Sequence, residues 1–461
     1  MSLPIKQKLI NGKKMSQAKK TLTITTGLAG KVSGDIIVPG DKSCSHRSIM
    51  FGSLAEGITH VSGFLPGDDC LATMNAFKAM GIKIEGPDEN QNVVIHGKGL
   101  RGLTAPNEAL NIGNSGTTIR LMSGLLAGQN FAWQMSGDSS LNKRPMGRVV
   151  DPLKLMGADI SAAENGTPPV ISQGVGEGQT LKAIHYDLPM ASAQVKSCVL
   201  LAGIYADGIT SVTEPGITRD HTERMLTAFG YPVTVEDTAI GKKVSIEGGH
   251  KLTACDIQVP GDISSATFFM VAGLIAKEGQ LIIRNVGMNP TRIGAINILQ
   301  QMNGDLSIIN ERMAGGEPVA DVVVKSSQLK GIDINERDVP LAIDEFPAIF
   351  IAAACAKGTT RLRGAEELRV KESDRIQAMA DGLKELTIDC TVFDDGIDIV
   401  GGQLTSGTIH SHDDHRIAMS FAISSLRATG EIKILECDNV ATSFPNFVTL
   451  ANQVGLTLNQ A

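Results

Sequence analysis

The sequence predicts an α/β (α+β) protein of two domains, each built from three βαβαββ repeats related by pseudo-threefold symmetry. The 461-residue chain is longer than one hydrophobic core usually supports. An apolar helix-like run followed by a strand-like run occurs six times, with starts roughly 70 to 80 residues apart. The tripeptide Val-Pro-Gly followed by Asp occurs at 38–41 and again at 259–262, so it brackets the first three copies.

The six copies share one order of elements. The first helix-like run leads into a strand, as in NSGTTIRLMSGLLAG before NFAWQMSG and in DDHRIAMSFAISSLRATG before EIKILEC. A second amphipathic segment follows, such as DDCLATMNAFKAMG before IKIEG, TERMLTAFG before YPVTV or IGAINILQQMNG before DLSII. Apolar residues recur there at helical spacing, and the final Gly can adopt the left-handed conformation that ends a helix. Short strands such as KVSIEGG and GIDIVGG close the unit.

The two Val-Pro-Gly segments predict the domain boundaries. If they are paired crossover strands, residues 41–259 form an inserted domain that contains the first three repeats. Residues 21–40 and 260–461 then form the other domain, which contains repeats four to six. Two crossing strands would act as a hinge on which the domains close. Residues 1–20 contain six Lys and no acidic residue, and we expect them to form a flexible tail.

Composition argues against several classes of partner. The net charge of −7 and the aromatic content of 4% disfavour nucleic-acid binding. No apolar run in the sequence reaches the roughly 18 residues of a membrane helix. No two of the seven Cys are spaced C-x-x-C, which disfavours a zinc knuckle and indicates a reducing compartment. We therefore expect a cytoplasmic monomer with no metal, no cofactor, no nucleic-acid partner and no membrane partner.

The starts of the first helices carry the informative residues. Ser, Asp and Asn are good N-caps, and capping alone explains a residue such as Asp262. Capping does not explain Lys42, Arg47 and Arg416, because a cation near a helix start opposes the helix dipole. Cations beside free backbone N–H groups are suited to binding anions. The repeat symmetry would aim all six starts at the cleft between the domains.

Three basic loops occupy equivalent positions after the strands, namely KRPM at 143–146, RDH at 219–221 and LRVKESDR at 368–375. Together with the cationic helix starts they predict a phosphate and carboxylate pocket. A cluster of five residues also resembles a metal site: His410, His412, Asp413, Asp414 and His415. Residues 410 and 412 would share one face of a strand, but no strong third ligand is identifiable. We favour Asp413 and Asp414 as helix caps that orient Arg416.

Six motifs give the chain a specific resemblance: PGDKSCSHR, GNSGTTIRL, LNKRPMGR, PMASAQVKS, LRVKESDR and DDHRIAM. From about residue 22 to the C-terminus the sequence resembles the EPSP synthase family of the shikimate pathway, which serves aromatic amino acid biosynthesis. The resemblance implies the two-domain enolpyruvyl transferase fold. It also implies transfer of an enolpyruvyl group from phosphoenolpyruvate to the 5-hydroxyl of shikimate 3-phosphate, releasing phosphate through a tetrahedral intermediate. Glyphosate would be an inhibitor at the phosphoenolpyruvate site.

The resemblance also implies residue roles. Asp344 would remove the proton of the attacking hydroxyl, and Glu372, with Lys42 as a second candidate, would protonate the methylene carbon. The residues implied to bind shikimate 3-phosphate are Lys42, Ser43, Arg47, Ser192, Gln194, Arg219, Asp344 and Lys371. The residues implied to bind phosphoenolpyruvate are Lys42, Gly116, Arg144, Gln194, Arg375 and Arg416.

Three positions qualify the resemblance. Thr442 stands where several family members have Lys, so one phosphate contact is absent or supplied by Arg219. Ala193 stands where some members have a second Ser, and it cannot form that side-chain hydrogen bond. Gly116 is expected to leave room for glyphosate, where Ala would crowd it.

Two other functions remain open at this point. The related enolpyruvyl transferase that acts on UDP-N-acetylglucosamine shares the repeat plan, but it uses a Cys in its mobile loop. The corresponding loop here, GDSSLNKRPM, contains none. A noncatalytic anion-binding repeat protein would need the cationic helix starts but would not need Asp344 or Glu372.

Overall fold

The computed structural model describes residues 22–176, 178–239 and 241–461, so the tail predicted at 1–20 lies outside the described residues. Within these ranges the α-helices are α1 Lys42–Leu54, α2 Asp68–Ala79, α3 Gly116–Ala127, α4 Gly147–Leu155, α5 Ala193–Gly203, α6 His221–Ala228, α7 Ile263–Ile275, α8 Gly294–Gln301, α9 Phe346–Ala354, α10 Arg375–Glu385, α11 His415–Ser424, α12 Val440–Ser443 and α13 Phe447–Gln453. In this part of the chain, no helix is long and apolar enough to span a membrane.

The strands of the N-terminal and middle parts of the chain are β1 Ile24–Thr26, β2 Gly34–Ile37, β3 Ala55–Ser62, β4 Lys83–Glu85, β5 Val93–Lys98, β6 Leu110–Asn111, β7 Trp133–Ser136, β8 Ile160–Ser161, β9 Val170–Ser172, β10 Leu181–Lys182, β11 His185–Asp187, β12 Ala206–Asp207, β13 Ile209–Thr213, β14 Thr234–Asp237, β15 Lys242–Glu247, β16 Leu252–Thr253 and β17 Ile257–Gln258. The remaining strands are β18 Gln280–Gly287, β19 Asp305–Ala314, β20 Glu317–Lys325, β21 Thr359–Leu362, β22 Cys390–Phe393, β23 Gly396–Val400, β24 Gly407–His410, β25 Ile432–Leu435 and β26 Leu458–Gln460.

The repeats follow the predicted βαβαββ order. In the second repeat the sheet order is β6-β7-β9-β8, and in the third repeat it is β11-β13-β15-β14. The first two strands of each sheet are parallel, and a first helix (α3 or α5) lies between them in the chain. The last two strands pair antiparallel and form a hairpin at the far edge of each sheet. A parallel pair needs a helical crossover, whereas the antiparallel pair needs only a short turn.

Strand exchange at the Val-Pro-Gly segments links the two halves of the chain. The N-terminal strand β2 pairs in parallel with β18 of the fourth repeat, and β17 pairs in parallel with β3 of the first. Gly40 and Gly261 form an antiparallel bridge where the two segments meet. A Cβ atom on Gly40 would lie 1.9 Å from the carbonyl oxygen of Gly63, so this close approach requires glycine.

Two separate hydrophobic clusters form the core. One lies within residues 44–259, and the other combines residues 24–38 with residues 263–458. In the second cluster the first helices α7, α9 and α11 contact one another, and every residue of α7 and α9 is buried. A helix that is apolar on all sides needs such a central position. The proposed domain boundaries stay a prediction, which the exchanged strands and the separate clusters support.

Several helix ends differ from the sequence prediction. The first helix-like runs of the sequence end in glycine, but α1 ends at Leu54 and Gly57 already lies in β3 with a φ of 117°. Glu56 and Gly57 already pair with β5 as part of the strand, so the glycine does not mark the boundary. The second helices agree better, since Gly81 directly follows the cap of α2 with a φ of 86°. After α8, however, Asn303 takes the left-handed position predicted for Gly304.

Candidate active site

Lys42 is the first residue of α1 and lies at the junction of the two halves. Asp41 caps this helix by accepting a hydrogen bond of 2.8 Å from the backbone N–H of Cys44. Lys42 Nζ lies 3.0 Å from Asp69 Oδ2 at the start of α2. Burial alone would lower the pKa of Lys42, but the charge of Asp69, with a contribution from Glu372 of the other half, raises it. Lys42 is therefore protonated at neutral pH.

Arg47 is held one turn further along α1. Its Nε donates to Thr222 Oγ1 at 2.8 Å, its Nη2 donates to Ser197 Oγ at 3.2 Å, and its Nη1 donates to the carbonyl oxygen of Ser43 at 3.1 Å. Arg47 forms no ion pair with a carboxylate in the ranges that the structure describes. A buried cation held by neutral hydrogen-bond partners keeps its charge available to an anionic ligand.

Four cations surround Asp344. Lys371 Nζ and Arg375 Nη1 each lie 3.4 Å from Asp344 Oδ1, and the guanidinium of Arg219 contacts the other carboxylate oxygen. Arg416 Nη1 donates a hydrogen bond of 2.9 Å to the backbone carbonyl of Asp344. Burial would raise the pKa of Asp344, but the charges of Lys371, Arg219, Arg416 and Arg375 outweigh burial and hold it well below its ordinary value. The carboxylate is therefore ionised at neutral pH.

Glu372 shares the guanidinium of Arg375 with Asp414. Arg375 Nη2 lies 2.5 Å from Glu372 Oε2, and Arg375 Nε lies 2.8 Å from Asp414 Oδ2. Burial acts to raise the pKa of Glu372, but the net effect of the surrounding groups, led by the charge of Arg375, lowers it. Arg375 and Asp414 are both fully buried, whereas the side chain of Glu372 is 45% exposed. Of these three groups, Glu372 is thus the most exposed to solvent.

The second repeat contributes a group of cations around Gly116, the first residue of α3. A Cβ atom on Gly116 would lie 3.0 Å from Nη1 of both Arg120 and Arg144. Arg120 donates to Gln194 Oε1 at 2.7 Å, and Arg144 donates to Asn114 Oδ1 at 2.5 Å. Within the described ranges neither Arg120 nor Arg144 is paired with a carboxylate. Burial and nearby arginine charges lower the pKa of Arg120, as expected where cations outnumber anions.

The remaining predicted binding residues are at helix starts. Ser192 is the N-cap of α5 and accepts a hydrogen bond of 3.4 Å from the N–H of Val195. Ala193 begins the same helix. Gln194 Nε2 also donates to Thr117 Oγ1 at 3.1 Å, which ties α5 to α3. The backbone at Thr442 meets the start of α2 from the other half, because a Cβ on Gly67 would lie 2.4 Å from the Thr442 carbonyl oxygen.

One interpretation of the 410–416 segment is wrong. Asp414 does cap α11, accepting a hydrogen bond of 2.9 Å from the N–H of Arg416, but its carboxylate pairs with Arg375 rather than orienting the Arg416 side chain. Asp413 is not the cap, and it has a left-handed φ of 56°. Asp344, through its backbone carbonyl, holds the Arg416 guanidinium. Asp414 is thereby paired with Arg375 and is not available as a metal ligand.

A different group of metal-ligand types lies beside the hinge. Cys44, His221 and Glu317 are buried together. His221 Nδ1 lies 2.8 Å from Glu317 Oε1, which is a hydrogen-bond distance, and 3.8 Å from Cys44 Sγ. Burial raises the pKa of the Cys44 thiol well above its ordinary value, so the thiol stays protonated and is a poor ligand. The geometry fits a hydrogen bond between the halves better than a metal site.

Sequence reasoning missed two residues that complete the site. Arg120 lies within the GNSGTTIRL motif but was not assigned, although it is one helical turn beyond Gly116 and therefore faces the same side. Asp69, the partner of Lys42, lies in the first turn of α2, where an acidic residue is also explained by the helix dipole.

Comparisons with known proteins agree with this geometry. A family model described as EPSP synthase (3-phosphoshikimate 1-carboxyvinyltransferase) matches residues 28–450. A 3-phosphoshikimate 1-carboxyvinyltransferase from Methylococcus capsulatus is 58% identical over 439 residues, covering 95% of this chain and 99% of that protein. The solved EPSP synthase from Acinetobacter baumannii is 57% identical, with a TM-score of 0.89, and covers 96% of this chain and 100% of its own.

A more distant solved structure shares the fold alone. The enolpyruvyl transferase NikO from Streptomyces tendae is 16% identical, with a TM-score of 0.77, and covers 96% of this chain and 99% of its own. The predicted two-domain enolpyruvyl transferase fold is therefore confirmed. On the extent of the family match and of the sequence identity, the chain belongs to the EPSP synthase (3-phosphoshikimate 1-carboxyvinyltransferase) family.

Proposed function

We propose that this enzyme transfers the enolpyruvyl group of phosphoenolpyruvate to the 5-hydroxyl of shikimate 3-phosphate, releasing inorganic phosphate. The single observation that carries the assignment of roles is the position of Asp344, an ionised carboxylate surrounded by cations from both halves. Two phosphorylated, carboxylated substrates need such cations, and the reaction also needs a group that can accept a proton.

The addition step starts at Asp344. Its carboxylate accepts the proton of the 5-hydroxyl while that oxygen bonds to C2 of phosphoenolpyruvate, and the methylene carbon C3 takes up a proton. The product of this step is a tetrahedral intermediate. In the second step the C2–O bond to phosphate breaks, and C3 loses a proton so that the enol double bond forms again. Lys42 would stabilise the charged intermediate electrostatically.

Two groups are candidates for the proton transfers at C3. Lys42 carries a proton in the free site, because its pKa is raised. Glu372 is ionised in the free site, since Arg375 lowers its pKa. The phosphoenolpyruvate anion would compete for Arg375, and the loss of this partner would raise the pKa of Glu372 until it can carry a proton. Glu372 remains the first candidate, and Lys42 the second.

Substrate contacts divide between the two ends of the site. Ser43, Arg47, Ser192, Gln194, Arg219 and Lys371, together with Lys42 and Asp344, would hold shikimate 3-phosphate. Arg144, Arg375 and Arg416, with Gly116, Gln194 and Lys42, would hold phosphoenolpyruvate. Arg120, which lies beside Gly116 and Arg144, would add a further cation to this end. Glyphosate would occupy the phosphoenolpyruvate position, because Gly116 places no side chain between the two guanidinium groups.

Several wider properties belong to the same proposal. The enzyme would act in the cytoplasm as a monomer, and its domains, 41–259 against 21–40 plus 260–461, would close on the substrates. Contacts between the halves at Arg219 and Asp344, and between α2 and α12, support a closed arrangement. Closure predicts that the radius of gyration in solution is smaller when shikimate 3-phosphate and glyphosate are both bound than when neither is present. An unchanged radius would count against closure.

The decisive experiment is a phosphate-release assay with phosphoenolpyruvate and shikimate 3-phosphate. We expect phosphate release with this pair, and none when UDP-N-acetylglucosamine or unphosphorylated shikimate replaces shikimate 3-phosphate. Release with the sugar nucleotide would favour the related transferase. Binding of both substrates without any release would favour the noncatalytic anion-binding protein.

A further inference from the structure

The buried guanidinium of Arg292 lies at the hinge between the two halves, in the loop between β18 and α8. Its side chain is only 5% exposed. The loop is a fixed turn, because the N–H of Arg292 donates to the carbonyl oxygen of Asn289 at 2.8 Å and Asn289 Oδ1 accepts from the N–H of Thr291 at 2.9 Å. Neither the reaction nor the binding of substrates, as described above, uses this residue.

Arg292 joins the starts of three helices. Its Nη1 lies 2.8 Å from Asp41 Oδ2, at the N-cap of α1. Its Nη2 lies 2.6 Å from Ser264 Oγ in the first turn of α7, and 3.4 Å from Asp262 Oδ1, the cap of that helix. The same nitrogen lies 3.3 Å from Glu345 Oε1 at the N-cap of α9. One side chain thus fixes three helix starts that come from both halves.

Two of these contacts are directly next to the reacting groups in the chain. Asp41 immediately precedes Lys42, and Glu345 immediately follows Asp344. We propose that Arg292 is a positioning residue that sets the spacing between Lys42 and Asp344 across the cleft. This inference rests on the proposed function of those two residues.

The charges explain why a guanidinium is needed at this place. Three acidic side chains surround one cation: Asp41 and Glu345 are buried, and Asp262 is 13% exposed. Burial would raise the pKa of Asp41, but Arg292, with smaller contributions from His221 and Arg219, lowers it. The pKa of Asp262 is raised by burial and by the charge of Asp41. Without Arg292 these acidic groups would repel one another, and the helix starts that carry Lys42 and Asp344 would separate.

A second cation extends the connection toward the substrate site. Arg416 Nη1 lies 4.0 Å from Glu345 Oε1, and the same atom donates to the backbone carbonyl of Asp344. Glu345 therefore contacts Arg292 on the hinge side and Arg416 on the cleft side. A displacement at Arg292 would reach both Asp344 and Arg416 through this carboxylate.

The test compares Arg292→Lys and Arg292→Met with the same two substitutions at Arg284. Arg284 is a suitable control because it lies in the adjacent strand β18 and also binds two carboxylates, Asp35 at 2.5 Å and Asp321 at 2.9 Å, but its side chain is 37% exposed. For each variant the measurements are kcat, KM for both substrates, and the unfolding midpoint, with rates recorded well below that midpoint.

We expect Arg292→Lys to lower kcat by about tenfold while both KM values change by less than about threefold, because a small displacement of reacting groups mainly slows the chemical step. Arg292→Met should lower kcat further, and both Arg284 variants should retain the wild-type kcat. If Arg292→Met does not fold, the test uses Arg292→Lys, Glu345→Gln and the double variant that combines them. Each should then lower kcat, and the double variant should lose less than the product of the two single losses.

Three results would overturn the inference: an unchanged kcat in the Arg292 variants, a rise in KM alone, or an equal loss of kcat in the Arg284 variants. A wild-type enzyme that releases no phosphate would instead contradict the proposed function, so the two failures are distinguishable.

Discussion

The guanidinium of Arg219 contacts the carboxylate of Asp344 on the other side of the cleft. In the sequence, Arg219 belongs to the part of the chain between the two Val-Pro-Gly segments. Arg219 is one of the cations that hold the pKa of Asp344 well below its ordinary value. A bound phosphate group that attracted Arg219 would remove this cation from the carboxylate and raise its pKa. Substrate binding would thereby make Asp344 a stronger base.

Arg219→Ala tests the binding half of this relationship. We expect KM for shikimate 3-phosphate to rise by about 10- to 100-fold, because a charge-assisted hydrogen bond contributes roughly 1.5 to 3 kcal/mol. KM for phosphoenolpyruvate should change much less. Steady-state kinetics with each substrate varied in turn provides the measurement, and Arg224→Ala is the control, since Arg224 pairs with Asp220 in the same region. An equal rise in both KM values would show that Arg219 acts generally on the cleft.

Asp344→Asn and Glu372→Gln test the two carboxylates. Both substitutions preserve size and remove the ability to transfer a proton, so we expect kcat to fall at least about 100-fold. Calorimetric titration should still detect shikimate 3-phosphate binding to both variants. The exposed neighbour Glu366 offers a control, and Glu366→Gln should leave kcat unchanged. Near-wild-type turnover in both variants would defeat the catalytic assignment.

The sequence predicted the repeat order and the cationic helix starts because both are local patterns. Lys42 and Arg416 could be recognised since a cation at a helix start contradicts the dipole and therefore needs another explanation. Contacts between distant parts of the chain could not be predicted in the same way. Arg292 and Asp41 are separated by 251 positions, and only the folded arrangement of the two crossover segments brings them together.

Local ambiguity accounts for the other errors. Asp413 and Asp414 both suit a helix cap, and the choice between them depends on the approach of Arg375 from another repeat. The glycine after a first helix-like run lies later than the boundary between helix and strand, because the chain already pairs as a strand before the glycine is reached. Gly57 has its positive φ inside the strand and not at the end of the helix.

Acid should destabilise the protein through its buried histidines. Burial lowers the pKa of His46 to about 3, and burial with the charge of Arg416 lowers the pKa of His415 to about 4. The folded-state values lie below the ordinary value of 6.5, so the neutral imidazoles stabilise the fold fully above that pH and progressively less as the pH falls. As the pH falls from about 7.5 to about 5.5, each histidine should lower the free energy of unfolding by about 1.4 kcal/mol.

Urea unfolding at these two pH values measures the effect. His46→Asn should remove about half of the loss in the free energy of unfolding that we attribute to the two histidines. Asn can still form a hydrogen bond with Thr73 but does not titrate. His60, whose side chain is 64% exposed, provides the control, and His60→Asn should leave the pH dependence unchanged. A His46→Asn variant with the full wild-type dependence would show that other groups cause the acid destabilisation.

Gly116 should determine how well the site accepts glyphosate. In Gly116→Ala the new methyl group would lie 3.0 Å from the guanidinium nitrogens of both Arg120 and Arg144, so at least one of them must move. An inhibitor that fills the space between these cations should lose more affinity than the smaller phosphoenolpyruvate. We expect the inhibition constant for glyphosate to rise at least about tenfold more than KM for phosphoenolpyruvate, a difference of roughly 1.4 kcal/mol. Gly147→Ala is the matched control, because Gly147 also begins a helix and its added methyl group would meet only Asp151 at 3.6 Å. Equal changes in the two constants would mean that the methyl group displaces the cations without discriminating between the ligands. Normal turnover of the unmodified enzyme at glyphosate concentrations far above KM for phosphoenolpyruvate would show that glyphosate does not use this space.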